Sequence, residues 1–286
     1  GDSAFKDCSS LDHVGLPETI ESIGASAFEG CDELKEVMLL SEDAQVGERA
    51  FGYHSDNRQI TDFTLITYAD TPAAEYAENS GINYAAAEGK CGENAVYVFD
   101  PETGVFTVYG YGDTYDYNAA DGKPPWAEPL TDENGDPVLD ENGKAVTIIS
   151  QVTKFVVSED ITGVGNNFMS GAASLEAVVL PESLERIGSN AFSGCTSLES
   201  VLIPAGVDEI GVNAFSRCDN LGTIIFDGAM PEVTGAVNEA GKRITNVSGV
   251  TVYYNQDDPS WSDMNAYLGV TDPDAPVSDT VPERNP

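Results

Sequence analysis

Leu180-Pro-Glu-Ser-Leu184-Glu-Arg-Ile187-Gly188-Ser-Asn-Ala191-Phe192-Ser-Gly194-Cys195-Thr-Ser-Leu198-Glu-Ser-Val201 decides the fold, because the chain writes it a second time. The copy is Leu16-Pro-Glu-Thr-Ile20-Glu-Ser-Ile23-Gly24-Ala-Ser-Ala27-Phe28-Glu-Gly30-Cys31-Asp-Glu-Leu34-Lys-Glu-Val37. The frame runs on in both directions. Phe5, Phe28 and Phe51 are spaced by 23, as are Phe192 and Phe215, while Phe168 to Phe192 is 24 because one residue is added before Leu175. Each unit reads strand, Pro, Ile-Gly, Ala-Phe, Gly-Cys. A unit this short cannot bury its own apolar face, so a period in the twenties predicts stacked coils, each covering its neighbour.

Strand starts fall at Leu11, Leu34 and Ile60 in a first array, and at Val152, Leu175, Leu198 and Leu221 in a second. The first array ends in Thr71-Pro-Ala-Ala-Glu-Tyr-Ala-Glu-Asn-Ser-Gly81, where helix formers after Pro72 and a closing Gly predict a short helix that caps the last coil. Residues 91–147 have no repeat frame. There, Val96–Phe99 and Val105–Tyr109 flank Asp100-Pro-Glu-Thr-Gly104 as a β-hairpin, and Asp132-Glu-Asn-Gly135 and Asp140-Glu-Asn-Gly143 are hairpin turns by composition. From Thr271 to Pro286, four prolines alternate with acids and no apolar periodicity survives, which reads as a linker.

The unit Leu-Pro-x-x-(Leu/Val)-x-x-Ile-Gly-x-x-Ala-Phe-x-Gly-Cys-x-x-Leu-x-x-Val at 16–37 and 180–201 resembles the BspA-like class of bacterial leucine-rich repeats. Cys91-Gly-Glu-Asn, the hairpin after it, and Gly112-Asp-Thr-Tyr-Asp-Tyr…Pro-Trp126 are similar to the β leader that precedes arrays in that class. Ile225-Phe-Asp-Gly…Val250-Thr-Val-Tyr-Tyr-Asn…Trp261…Tyr267-Leu-Gly269 is similar to its closing segment. The coil after Phe51 departs from the pattern, with Gly52-Tyr-His54 in place of Gly-Cys and no Pro after Leu40. The Asp132–Lys144 hairpin reads as an insertion in the leader.

The resemblance implies an α/β solenoid, mostly β, of right-handed leucine-rich-repeat-type coils with short helices, in two arrays joined by a β-rich leader. The expected domains are 1–87 (first array with its helical cap), 88–149 (leader), 150–270 (second array with closing segment) and 271–286 (acidic Pro-rich linker). It also implies an extracellular bacterial protein, cell-surface or secreted, of which some relatives attach to host or neighbouring-cell components. Fold alone does not fix function.

Charge narrows the classes. The 286 residues carry 49 Asp plus Glu against 13 Lys plus Arg, a formal net charge of -36. Such a surface repels phosphate backbones and anionic membranes, so no nucleic-acid partner is expected. Hydrophobic content of 41% is enough for packed cores, which assigns the acidity to a folded surface. No apolar run approaches a membrane span and no signal peptide opens the chain. Because the chain starts inside a repeat at Ala4-Phe5-Lys-Asp-Cys8, with an uncapped coil edge facing upstream, the missing signal says nothing of compartment.

Alternation in the strands places Lys154, Ala177, Ser200 and Thr223 outward in the second array, and two residues on, Val156, Val179, Leu202 and Ile225. The second row is wholly apolar, and at about 4.8 Å per strand it makes a strip on the order of 15 Å long. The first array offers Gly15, Met38 and Thr64 instead, with His13, Glu36 and Asp62 beside them. On so acidic a protein an apolar strip calls for a cover. It is therefore the candidate binding site for an extracellular protein or glycan. The competing readings are ordinary β-branched sheet composition and a strip covered by the leader.

Chemistry finds little support. The Cys pairs 8/31 and 195/218 stack one coil apart, a separation that a disulfide tolerates, yet the slot after the Phe reads as a buried small filler and predicts free thiols. His54 falls in the Cys slot, giving a Cys8-Cys31-His54 column without a fourth zinc ligand. The two His lack a nucleophile signature, and Asp132–Asp136 has the wrong spacing for a calcium loop. No cofactor and no metal are expected. The expectation is a non-enzymatic binding module, with a structural spacer as alternative and, more remotely, a hydrolase of a surface polymer, which would need a convergent carboxylate pair.

Overall fold

A computed structural model describes residues 1–118, 122–234, 244–245, 249–255 and 258–263. The expected linker 271–286 and part of the expected closing segment, including 267–269, lie outside the described residues. The chain forms two compact units, Gly1–Gly89 and Lys90–Pro286.

In the first unit, β1 (Ser22–Ile23) pairs with β3 (Gln45–Val46), and β2 (Glu36–Met38), β4 (Thr64–Thr67) and β5 (Asn83–Ala86) form a parallel sheet. The rings of Phe5, Phe28 and Phe51 stack face to face with centroids 5.0 Å apart at each step, as a repeat of 23 requires. Helix α1 (Pro72–Ser80) closes the stack. It starts where Thr71 Oγ1 accepts from the Ala74 N–H, and ends where Gly81 turns left-handed at φ +71°. Its Tyr76 hydroxyl accepts from the Phe51 N–H and donates to the Phe51 carbonyl, both at 3.0 Å, supplying the partners that a further coil would supply. Burial pushes the Tyr76 hydroxyl pKa up to about 12.

One register differs from the sequence expectation. Glu36 pairs with Thr64 and Met38 with Ile66, a step of 28 where the expected row, Met38 then Thr64, has 26. The extra residues form a loop in which Tyr53 bridges Gln59 and the His54 N–H donates to the Arg58 carbonyl. The strand therefore begins at Thr64, not Ile60, and the row in register is Gly15, Met38, Ile66 and Ala85, of which Ile66 is fully buried.

The second unit opens at its junction with β6 (Gly89–Lys90). The hairpin β7 (Ala95–Asp100) and β8 (Val105–Gly110) follows, then the short β9 (Gly112–Asp113). The coils come next, each contributing two strands. A first ladder of coil strands is split into two sheets: β10 (Lys154–Val157) and β12 (Ala177–Val179) extend the sheet of β7 and β8, while β14 (Ser200–Ile203), β16 (Thr223–Phe226) and β18 (Thr251–Tyr253) form a second. Opposite it run β11 (Ile161–Val164), β13 (Arg186–Ile187), β15 (Glu209–Gly211) and β17 (Glu232–Thr234), joined by β9. All pairs between coils are parallel, and the step of 23 appears directly as Lys154 on Ala177, Ser200 on Thr223 and Arg186 on Glu209. The Ile-Gly of the repeat is thus the second strand of each coil, too short to show alternation in the sequence. Where short helices were expected in the coils, the Ala-Phe-x-Gly-Cys segment forms hydrogen-bonded turns, and α1 is the one α-helix among the described residues.

Two glycines of the motif have separate reasons. Gly188 lies where an added Cβ would sit 2.5 Å from the backbone N of Asn166 and 2.5 Å from the backbone C of Gly165, so the coils approach too closely for any side chain. Gly194 instead has φ +80°, the left-handed conformation that turns the chain toward Cys195. At the unit's two ends, tryptophans fill the core. Trp126 of the leader packs on Phe168 with centroids 4.6 Å apart and donates its indole N–H to the Phe168 carbonyl at 2.9 Å. Trp261 packs on Phe226 at 4.8 Å.

Candidate functional site

The outward row of the first ladder is built by register. Val156 pairs with Val179 and Leu202 with Ile225, and β12 abuts β14 across the boundary between the two sheets, so the two pairs follow one another on consecutive coils. Their neighbours along each strand, Phe155, Val201 and Ile203, and Ile224 and Phe226, point into the core and are buried. This alternation is why the row must face out. Val179 and Leu202, at its centre, are 44% and 38% exposed. Val156 and Ile225 are half-buried.

The leader does not fold over this row. Its strand β8 adds to the edge of the sheet, pairing Thr107 with Val156, and at the other end β18 pairs Tyr253 with Ile225. Both neighbours extend the row beyond the four residues expected. Tyr253 stands 28 residues after Ile225, so the 23-residue frame could not find it, and Thr107 lies in a segment with no frame at all. The parallel row is polar, with Lys154 and Ser200 exposed and Ala177 and Thr223 half-buried. Along the entry side of the strands, Glu176 and Glu199 are exposed one coil apart. The Glu176 N–H donates to the Thr153 carbonyl, and the Glu199 carbonyl accepts from the Gly222 N–H, so the same backbone ladder sets their spacing.

The groups considered for chemistry are engaged elsewhere. His54 Nδ1 lies 2.7 Å from Asp32 Oδ1, and His13 Nδ1 lies 2.8 Å from Asp12 Oδ1. No cluster of three or more His, Cys, Asp or Glu side chains suited to a metal ion occurs among the described residues. All five cysteines are free. Cys31, Cys91, Cys195 and Cys218 are buried, but Cys8 is exposed, because it sits on the outermost coil with no coil of this chain covering it; Phe5, 46% exposed, shares that edge. Asp132 Oδ1 accepts from the N–H groups of Asn134 and Asp136, and Asp140 Oδ1 from those of Asn142 and Lys144. These carboxylates close their own turns, which accounts for the Asp-Glu-Asn-Gly repeats. Hydrogen bonding to the backbone N–H groups holds Asp132 below the usual carboxylate range.

Buried charge is concentrated in the first unit. Glu29, 2% exposed, accepts a 3.0 Å hydrogen bond from Lys6 Nζ, and Arg49 Nη2 lies 2.8 Å from the same oxygen. Hydrogen bonds from Ser26 and then Lys6, with the charge of Arg49, keep the Glu29 carboxyl below its ordinary value despite burial. The cluster is structural: Glu29 is buried in the coil stack beneath the partly exposed Lys6 and Arg49, and Arg49 also covers the Tyr53 ring at 5.7 Å. Among the described helices none is long and apolar enough to cross a membrane.

A profile of the BspA type leucine rich repeat region matches residues 1–85 and 147–247 in six copies, more than half of the chain. A leucine rich cell surface protein from Faecalibacterium prausnitzii A2-165 is similar in structure at 16% identity and a TM-score of 0.35, covering 95% of this chain and 72% of that one. A leucine-rich repeat protein from Bacteroides ovatus is 17% identical at a TM-score of 0.33, with coverages of 91% and 77%. The pneumococcal vaccine antigen PcpA is 16% identical at 0.35, with coverages of 89% and 65%. A comparison with curated protein sequences finds no match. With two arrays of the repeat covering these ranges, the chain belongs to the BspA-type leucine-rich repeat family.

Proposed function

We propose that this chain is a non-enzymatic binding module of a bacterial cell-surface or secreted protein, and that it recognises an extracellular protein or glycan through the outward face of β10, β12, β14 and β16. One observation carries the reading: Val179 and Leu202 stand exposed side by side on a chain with net charge -36. Isolated exposed apolar residues need no explanation, but a line of them presented by consecutive coils is a surface for another molecule. Family membership supports the surface setting, and the carboxylates and histidines engaged in turns and ion pairs support a role without chemistry.

The test is the double variant Val179→Asp plus Leu202→Asp, probed on arrays of extracellular-matrix proteins and neutral glycans after circular dichroism has established that it folds. The expected result is a ligand held by the parent chain and lost by the variant. Equal retention by both would assign the row to sheet structure alone and favour the spacer.

A further inference from the structure

The geometry points to a particular occupant for this face: an extended protein segment in which apolar side chains alternate with lysine or arginine. The inference rests on the reading of the face as a binding surface and deepens it by naming the partner's chemistry. Four coils at about 4.8 Å apart give a strip near 15 Å, which about five residues of extended chain cover at a rise of roughly 3.3 Å each. Alternate side chains of such a segment, about 6.6 Å apart, would lay three apolar groups along the strip, the middle one over Val179 and Leu202, the two most exposed members of the row.

The charge around the strip decides what the intervening side chains are. Glu176 and Glu199 are exposed on the entry side of the central two strands, and Glu182 is exposed past the exit of β12, so carboxylates flank the centre of the strip on both sides. Lys154, beside Val156, is the one cation in the outward rows of β10, β12, β14 and β16, and it stands at the strip's end. With a net charge of -36 behind these carboxylates, an acidic or sulfated partner is repelled, whereas a basic one is steered in and held in register. A neutral glycan satisfies neither the apolar line nor the acidic rims.

Three synthetic peptides of equal length test this by fluorescence anisotropy: alternating Val and Lys, alternating Val and Glu, and alternating Thr and Lys. Each is titrated into the full chain, into Val179→Thr plus Leu202→Thr, and into Glu176→Gln plus Glu199→Gln. Threonine is a β-branched strand former and changes no charge, so folding is preserved. The Val/Lys peptide is expected to bind and the Val/Glu peptide not to. The threonine variant should weaken Val/Lys binding at least tenfold, about 1.4 kcal/mol. The glutamine variant should weaken it several-fold and flatten its salt dependence.

Equal affinity for Thr/Lys and Val/Lys would reduce the effect to general attraction by the acidic chain and overturn the inference. So would binding of Val/Glu, or no binding of Val/Lys. If a neutral glycan bound the parent chain and was lost from Val179→Asp plus Leu202→Asp, the binding face would stand and only the basic partner would fall. If neither peptide nor glycan responded to changes in the row, both would fall.

Discussion

Gly188→Ala should destabilise the second unit far more than a methyl group suggests. The new Cβ would lie 2.5 Å from two backbone atoms of the preceding coil, Asn166 N and Gly165 C, neither of which can rotate away. Relief requires the coils to part, straining the neighbouring pairs Gly163 with Arg186 and Val164 with Ile187. Overpacking costs typically about 1–3 kcal/mol, and a clash between backbones belongs at the upper end. At roughly 2–4 °C per kcal/mol for a unit of this size, the melting temperature should fall by about 6–12 °C.

Gly194→Ala is the control. Its nearest non-neighbour atom would be 3.6 Å away, so the cost is only that of a left-handed alanine, about 1–2 kcal/mol. Urea unfolding followed by tryptophan fluorescence measures both, because the chain's two tryptophans, Trp126 and Trp261, lie in this unit and pack on Phe168 and Phe226. An unchanged m value would show one cooperative transition. If Gly188→Ala cost no more than Gly194→Ala, the close approach of the coils at the Ile-Gly step would be refuted.

Two further outcomes follow from burial. Ellman's reagent should titrate one thiol, Cys8, in the native protein and all five after unfolding; rapid native reaction of Cys91, whose pKa is raised by burial, would contradict its packing. Glu29, held below its ordinary 4.5, contributes stability that is fully present above that value and lost as pH falls through its lower folded value. Amide protection factors across residues 25–50 should therefore fall as the solution is acidified below about pH 4.5, and Glu29→Gln should be less protected at pH 7 with a flatter acid response. An identical acid response in the variant would remove Glu29 as its source.

Much of this protein was legible in the chain itself. The period of 23 requires coils to stack residue on equivalent residue, and the stacked Phe5, Phe28 and Phe51 and the pairing of Lys154 with Ala177 are that period expressed in space. The start and stop of α1 are likewise local, set by Thr71, Pro72 and Gly81. Alternation over strands of three and four residues was enough to send Val179 and Leu202 outward.

Where the frame broke, the sequence lost its hold. The loop after Tyr53 moved the third strand to Thr64, Tyr253 joined the outward row from outside the period, and the second strands β13, β15 and β17, two or three residues long, were too short to alternate. Exposure was also beyond it. Whether the leader would cover the apolar row or lie beside it depended on which edge β8 chose, since one segment can add to a sheet or pack on its face with the same composition. Periodicity is a property of the chain and sets what stacks on what. Accessibility is a property of the assembled surface, and here the edge pairing of Thr107 with Val156 is what leaves the row open.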